Sequence, residues 1–155
     1  MRISYHDKQT NLKLVFTDEV ISELKACKQD TTSPEAGGML FSKDIHTDSL
    51  IVSRISLPQR KDTRLRFFFR INKKNAQKII DKNFKEGYYY IGDWHTHPEP
   101  YPIPSLTDIQ TIKSIFNKSD HQLKYMFHAI IGNSEHFRPY VGITDGDYVR
   151  QLYRI

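Results

Sequence analysis

GDWHTHPEPYPIPSLTD, residues Gly92 to Asp108, is the stretch from which the rest of the chain can be read. The run leading into it, YYYIGDW, is aromatic and β-branched with no helical spacing, so it predicts a strand. Residues i and i+2 of a strand share a face, with Cα atoms about 6.5–7 Å apart. His95 and His97 are therefore expected to converge on one side, with Thr96 on the other. Two imidazoles so placed can hold one metal ion at N–metal distances of about 2.0–2.1 Å. Pro98, Pro100, Pro102 and Pro104 then alternate through a loop that is long but stiff, because each ring fixes φ and biases the residue before it towards extended geometry.

Ser105 with an acid three residues later is a helix N-cap signature. The helix it predicts, Leu106 to about Asn117, carries Ile109, Ile112, Ile115 and Phe116 as an apolar face. Asp108 falls on the side of Ile112 and Ile115. An acid in the first turn, turned to the core, is explained if it ligates a metal. Two histidines and one carboxylate make three ligands, and three protein ligands plus water is the catalytic pattern rather than the structural one. Such a metal lowers the pKa of water and polarises a carbonyl, and hydrolysis then needs a base and an oxyanion donor. Ser105 is placed to be that donor. Each piece alone has an ordinary reading: a His-x-His without a metal, an acid complementing the helix dipole, a serine that only caps. The order strand, His-x-His-Pro, stiff loop, cap and core-facing acid is what joins them.

That order resembles the JAMM motif of the JAB/MPN metalloproteases, His-[Ser/Thr]-His, seven residues, Ser, two residues, Asp, with a glutamate upstream. Glu35, followed by Gly37, Gly38 and an apolar run, resembles that glutamate. The resemblance implies metal ligands His95, His97 and Asp108, one Zn2+ per chain, Glu35 as general acid/base and Ser105 as oxyanion stabiliser. It implies an α+β, cytidine-deaminase-like fold and similarity to small bacterial JAB deconjugating peptidases of anti-phage and ubiquitin-like conjugation operons. The expected activity is zinc-dependent (iso)peptide hydrolysis. The expected substrate is a protein conjugated through an extended C-terminal tail, of a ubiquitin-like protein or a nucleotidyltransferase, with E1-like and E2-like enzymes as operon partners. Two other readings stand beside it: a non-catalytic MPN-type scaffold, and a nucleic-acid-associated JAB protein, which is the weaker.

The chain has 155 residues, net charge +5 and one cysteine, Cys27. The length fits one domain, 1–155. Cys27 permits no internal disulfide, no apolar run reaches membrane-span length, and the first ten residues have no signal-peptide core, so a cytoplasmic protein without a membrane partner is expected.

In chain order, Leu12–Phe16 reads as a strand and Thr17 caps a helix to about Lys28, with Val20, Leu24 and Cys27 inward. Residues 29–34, QDTTSP, read as a polar loop delivering Glu35. Gly37 and Gly38 permit either close backbone approach or positive φ. Asp93 and Glu99 are rival bases. Asp93 shares the histidine face, where it can orient an imidazole, and Glu99 sits where substrate can touch it. Strands are predicted at Met39–Phe41, Leu50–Leu57 and Leu65–Ile71, the first two joined by a hairpin connection with His46 exposed. The Leu65–Ile71 strand carries Arg64, Arg66 and Arg70 on a solvated face. Asn72 or Asn75 starts a helix to Glu86, with Ala76, Ile79, Ile80 and Phe84 buried and Lys74, Lys78, Lys82 and Lys85 as a solvated stripe. Tyr125–Ile131 is a central strand in which His128 is expected to be a satisfied core residue or a support for the ligands. Phe137–Ile143 and Tyr148–Ile155 complete a curved mixed sheet with about three helices on it.

Overall fold

The structure, a computed structural model, describes residues 2–30 and 32–155. Thr31 of the polar loop and Met1 lie outside the described residues. The elements in order are β1 (Ile3–His6), β2 (Lys13–Phe16), α1 (Asp18–Ala26), β3 (Gly37–Ser42), β4 (Ser49–Val52), β5 (Arg54–Ile55), β6 (Thr63–Leu65), β7 (Phe68–Arg70), α2 (Lys73–Lys85), β8 (Tyr89–Thr96), α3 (Leu106–Lys118), β9 (Met126–Ile131), β10 (Tyr140–Thr144), β11 (Val149–Gln151) and β12 (Tyr153–Arg154). The architecture is the expected mixed α+β one with three helices. No helix among the described residues is long and apolar enough to cross a membrane.

The expected single sheet is instead two larger sheets and a hairpin. A six-stranded sheet runs β11-β10-β9-β8-β3-β5 and a four-stranded sheet runs β12-β1-β2-β4, while β6 and β7 pair only with each other. Two of the predicted strands each divide between the two sheets. The predicted strand Leu50–Leu57 divides at Ser53: β4 lies parallel to β2 in one sheet and β5 antiparallel to β3 in the other. So the loop after β3 does not close a β3–β4 hairpin. The predicted strand Tyr148–Ile155 divides at buried Leu152 in the same way, β11 pairing with β10 and β12 with β1. These two crossings fold the sheets together over one core. Ile3, Leu14, Phe16 and Val52 of the smaller sheet, Val20 and Leu24 of α1, and Trp94, Phe127 and Ile131 of the larger sheet form one buried cluster. Removing each such side chain from water contributes about 1.5–3 kcal/mol.

The strand predicted over 65–71 is a hairpin turning at Arg66-Phe67. Arg64, Arg66 and Arg70 are exposed as expected, and Arg64 Nε also donates to Glu35 O at 2.9 Å. On α2 the inward face is rotated from the expected one. Phe84 is 62% exposed and pairs edge-on with Tyr89, while Asn83 is buried. Asn83 tolerates burial because its amide donates to Ile79 O and accepts from Arg54. Cys27 is the C-cap of α1 and only half-buried.

What matters for the site is the centre of the large sheet. Strand β9 is buried along its whole length, as a strand covered on both faces should be. It lies parallel to β8, with Asp93 beside His128 and His95 beside Ile130. α3 forms the crossover between them and packs on β9 and β10. Gly92 lets β8 and β9 approach closely, since a Cβ there would stand 1.8 Å from Phe127 O.

Candidate metal centre

His95 and His97 come from the end of β8 and its first residue beyond, on one face, as period-two alternation requires. The stiff loop returns the chain to Ser105, which caps α3. Ser105 Oγ accepts from Asp108 N–H at 3.0 Å and Asp108 Oδ2 accepts from Ser105 N–H at 2.8 Å, a reciprocal capping box. The box turns the remaining carboxylate capacity towards β8. Asp108 Oδ1 lies 3.2 Å from His95 Nε2 and Asp108 Oδ2 lies 3.2 Å from His97 Nε2. The two Nε2 atoms are themselves 3.2 Å apart. Each carboxylate oxygen thus faces one imidazole, and one ligand atom from each of the three residues lies within 4.8 Å of the others, a cluster close enough for one zinc ion with bonds of about 2.0–2.1 Å. Among the described residues it is the one cluster of histidine, cysteine and acidic groups that could hold a metal.

Glu99, weighed from the sequence as a base or substrate contact, has another place. His97 Nδ1 donates to Glu99 Oε1 at 3.0 Å, which orients the ring so that Nε2 faces the cluster and can serve as the ligand atom when a metal binds. Asp93 shares the histidine face, but its carboxylate takes the Tyr90 hydroxyl at 2.9 Å rather than an imidazole. Burial pushes Asp93 up to about 7, against that hydrogen bond.

Glu35 reaches the site through β3. Gly37 pairs with His95, and Ala36 is joined to Thr96 by Thr96 N–H donating to Ala36 O at 2.9 Å. Continued, that antiparallel register sets Glu35 across from His97 and on its face. Glu35 is buried, 5% exposed. Burial pushes its carboxyl from 4.5 up to about 7; the neighbouring His97 partly opposes this and the Asp108 charge adds to it. A carboxyl poised there can take and return a proton near neutrality. Burial alone would raise Asp108 too, but hydrogen bonds from His95 and His97 outweigh it and hold Asp108 well below the carboxylate range. For His97 burial lowers the pKa, and the bonds to Asp108 and Glu99 overcome this and raise it.

Gly37 serves close approach rather than positive φ: a Cβ there would stand 2.4 Å from the Phe69 ring of the β6–β7 hairpin. His128 is buried beneath this region and outside the ligand triangle. It is not satisfied as expected. Its Nε2 has no hydrogen-bond partner among the described residues, and its ring stands edge-on to Tyr140. Burial first, and then the charge of His95, push it down to about 3, which keeps it neutral. The sequence reading missed Gln29, which is buried against this centre. Its only signal was a polar residue in a polar loop.

The pattern of the family described as prokaryotic homologs of the JAB domain matches residues 17–141. A protein of Escherichia coli (strain TW11681) named CD-NTase/cGAS isopeptidase is 32% identical over 102 residues, 63% of this chain and 65% of that protein. A Vibrio cholerae protein of the same name is 31% identical over 115 residues, 64% of this chain and 72% of the relative. The match thus spans a little under two thirds of the Escherichia coli relative. A Danio rerio MPN domain-containing protein is 31% identical over 76% of this chain and 22% of its own length. The solution structure of a Desulfitobacterium hafniense protein superposes with a TM-score of 0.65 at 19% identity, covering 88% of this chain and 87% of that one.

Proposed function

The chain belongs to the prokaryotic homologs of the JAB domain, and from that premise we propose that it is a zinc-dependent isopeptidase. It acts as one domain, 1–155, with His95, His97 and Asp108 as zinc ligands, Glu35 as general acid/base and Ser105 as oxyanion donor. The observation that carries the reading is the cluster of His95, His97 and Asp108, whose ligand atoms lie within 4.8 Å of one another, with Glu35 buried beside it in the register of β3 and β8.

Zinc held there supplies Lewis acidity to a carbonyl and lowers the pKa of water. The protein's own groups do the rest. Glu35 accepts the proton of the attacking water and returns it to the leaving lysine amine, a shuttle favoured by a buried carboxyl whose pKa burial raises. The Ser105 hydroxyl already accepts from Asp108 N–H, so its own proton is left to donate to the carbonyl oxygen as charge develops. Glu99 orients the His97 ring. The relatives in Escherichia coli and Vibrio cholerae are named for isopeptidase action on CD-NTase/cGAS. The substrate class proposed here is accordingly a protein conjugated to a lysine through the C-terminal tail of a nucleotidyltransferase or ubiquitin-like protein. The decisive assay incubates such a conjugate with the protein and follows both products by intact mass. Wild type should release the tail with a free C-terminal carboxylate, and neither Glu35→Gln nor chelated protein should. Cleavage surviving both treatments would refute the mechanism.

A further inference from the structure

The segment 29–34 between α1 and β3 reads as a polar loop, yet Gln29 is 1% exposed. Its side-chain amide is fully occupied. Nε2 donates to Ser33 O at 2.8 Å and to Arg66 O at 2.7 Å, and Oε1 accepts from the Thr96 hydroxyl at 3.1 Å. The Thr96 oxygen in turn accepts from Ala36 N–H at 2.9 Å. A primary amide offers two donors and an acceptor in one plane, which is what two carbonyls and a hydroxyl demand.

Each segment tied in this way carries part of the proposed chemistry. Ser33 lies two residues before Glu35. Arg66 belongs to the β6–β7 hairpin, whose Leu65 O accepts from Glu35 N–H at 2.8 Å and whose Arg64 Nε donates to Glu35 O. Thr96 stands between His95 and His97. The hairpin pairs with neither large sheet, so side-chain and loop bonds of this kind hold it to the site. The hairpin thus holds both the N–H and the carbonyl of Glu35, in the register that sets Glu35 across from His97.

We propose that Gln29 is a positioning residue of the reaction. Its amide locks the Glu35 loop, the hairpin and the histidine strand together, and so fixes the Glu35 carboxyl relative to the imidazoles. This rests on the isopeptidase reading of the centre. Displacing a catalytic group by about 1 Å costs on the order of 100-fold in rate. The coupling runs through Thr96, so it can be probed from either end.

The test uses Gln29→Met, which keeps length and volume but removes all three bonds, with Thr96→Val, Thr96→Ser and the double variant Gln29→Met/Thr96→Val. kcat and KM are measured on a conjugate that wild type cleaves, together with bound zinc and thermal midpoint. Gln29→Met should lower kcat by about 10- to 100-fold, with KM within about twofold and zinc content unchanged. Thr96→Val should fall comparably, Thr96→Ser should restore most of the rate, and the double variant should be no slower than the worse single one, because both break one chain of bonds. Should Gln29→Met not fold, Thr96→Val against Thr96→Ser reads the same chain from its other end. An unchanged kcat in the folded variants, a loss matched by equal loss of zinc, or losses that multiply in the double variant would overturn the proposal. The two readings fail separately: a wild-type protein that cleaves no such conjugate would sink the isopeptidase reading, and cleavage by Glu35→Gln at the wild-type rate would sink its Glu35 mechanism, whereas sensitivity to Glu35 with indifference to Gln29 and Thr96 would sink only this one.

Discussion

Replacing Glu35 by glutamine should alter the pH dependence of folding as well as cleavage, and the size of the effect follows from the burial of the carboxyl. Burial raises its pKa in the folded protein from 4.5 to about 7. A raised carboxyl binds protons more tightly folded than unfolded, so folding is penalised as pH climbs from 4.5 towards 7, and the penalty is constant above that. At 1.36 kcal/mol per unit, linkage gives a cost of about 1 kcal/mol at pH 5 and about 3 kcal/mol at pH 8. Glutamine has the same shape and no charge to desolvate. In metal-free protein, where no cation offsets the carboxylate, urea unfolding at pH 5 and pH 8 should show the variant gaining about 2 kcal/mol on wild type between the two. A variant-minus-wild-type difference that is flat with pH would refute the claim that Glu35 is desolvated. In the loaded enzyme a nearby cation favours the charged form, so the acid limb of kcat/KM should lie below 7.

Other changes have defined outcomes. Glu99→Gln removes the carboxylate that orients His97, so zinc affinity should weaken about 10- to 100-fold in a competitive chelator titration while the protein stays folded. Ser105→Ala removes both cap and oxyanion donor: kcat should drop about 100- to 1000-fold with zinc retained, and thermal unfolding should register about 1 kcal/mol of lost stability. At Asp7, burial opposes ionisation, but the Arg150 and Thr10 bonds outweigh it and hold the pKa down to about 2. A lowered carboxyl adds stability above 3.8 that is lost as pH falls through about 2, so Asp7→Asn should cost about 1–3 kcal/mol at pH 7 and progressively less below pH 4 in denaturant titrations.

The readable parts of the chain were those set by local rules. Ser105 and Asp108 announce a capping box because its donors and acceptors lie within one turn. The ligand triangle could be anticipated because strand alternation, a stiff loop and a helix start each constrain direction without reference to distant residues. Strand β9 declared itself by an unbroken apolar run. What stayed hidden was decided by tertiary partners. Nothing local marks Ser53 or Leu152 as the points where one extended run leaves one sheet for another. Arg66-Phe67 turns a chain without glycine, proline or asparagine because the hairpin's backbone is held by Glu35 and Gln29. The strand Ile3–His6 was passed over although its burial alternates. Phe84 and Asn83 exchange expected places because Arg54 and Ile79 O satisfy a buried amide. Gln29 could not be singled out, since its three partners lie in three separate segments.

The central claim is that three side chains from β8 and α3 hold one catalytic zinc, and metal replacement tests it directly. Protein purified without chelator should carry about one zinc per chain, lose zinc and cleavage together on dialysis against chelator, and regain both on adding about one equivalent back, while Asp108→Ala does neither. Wild-type protein that cleaves at full rate when metal-free, or Asp108→Ala protein that still binds zinc tightly and cleaves, would contradict the account.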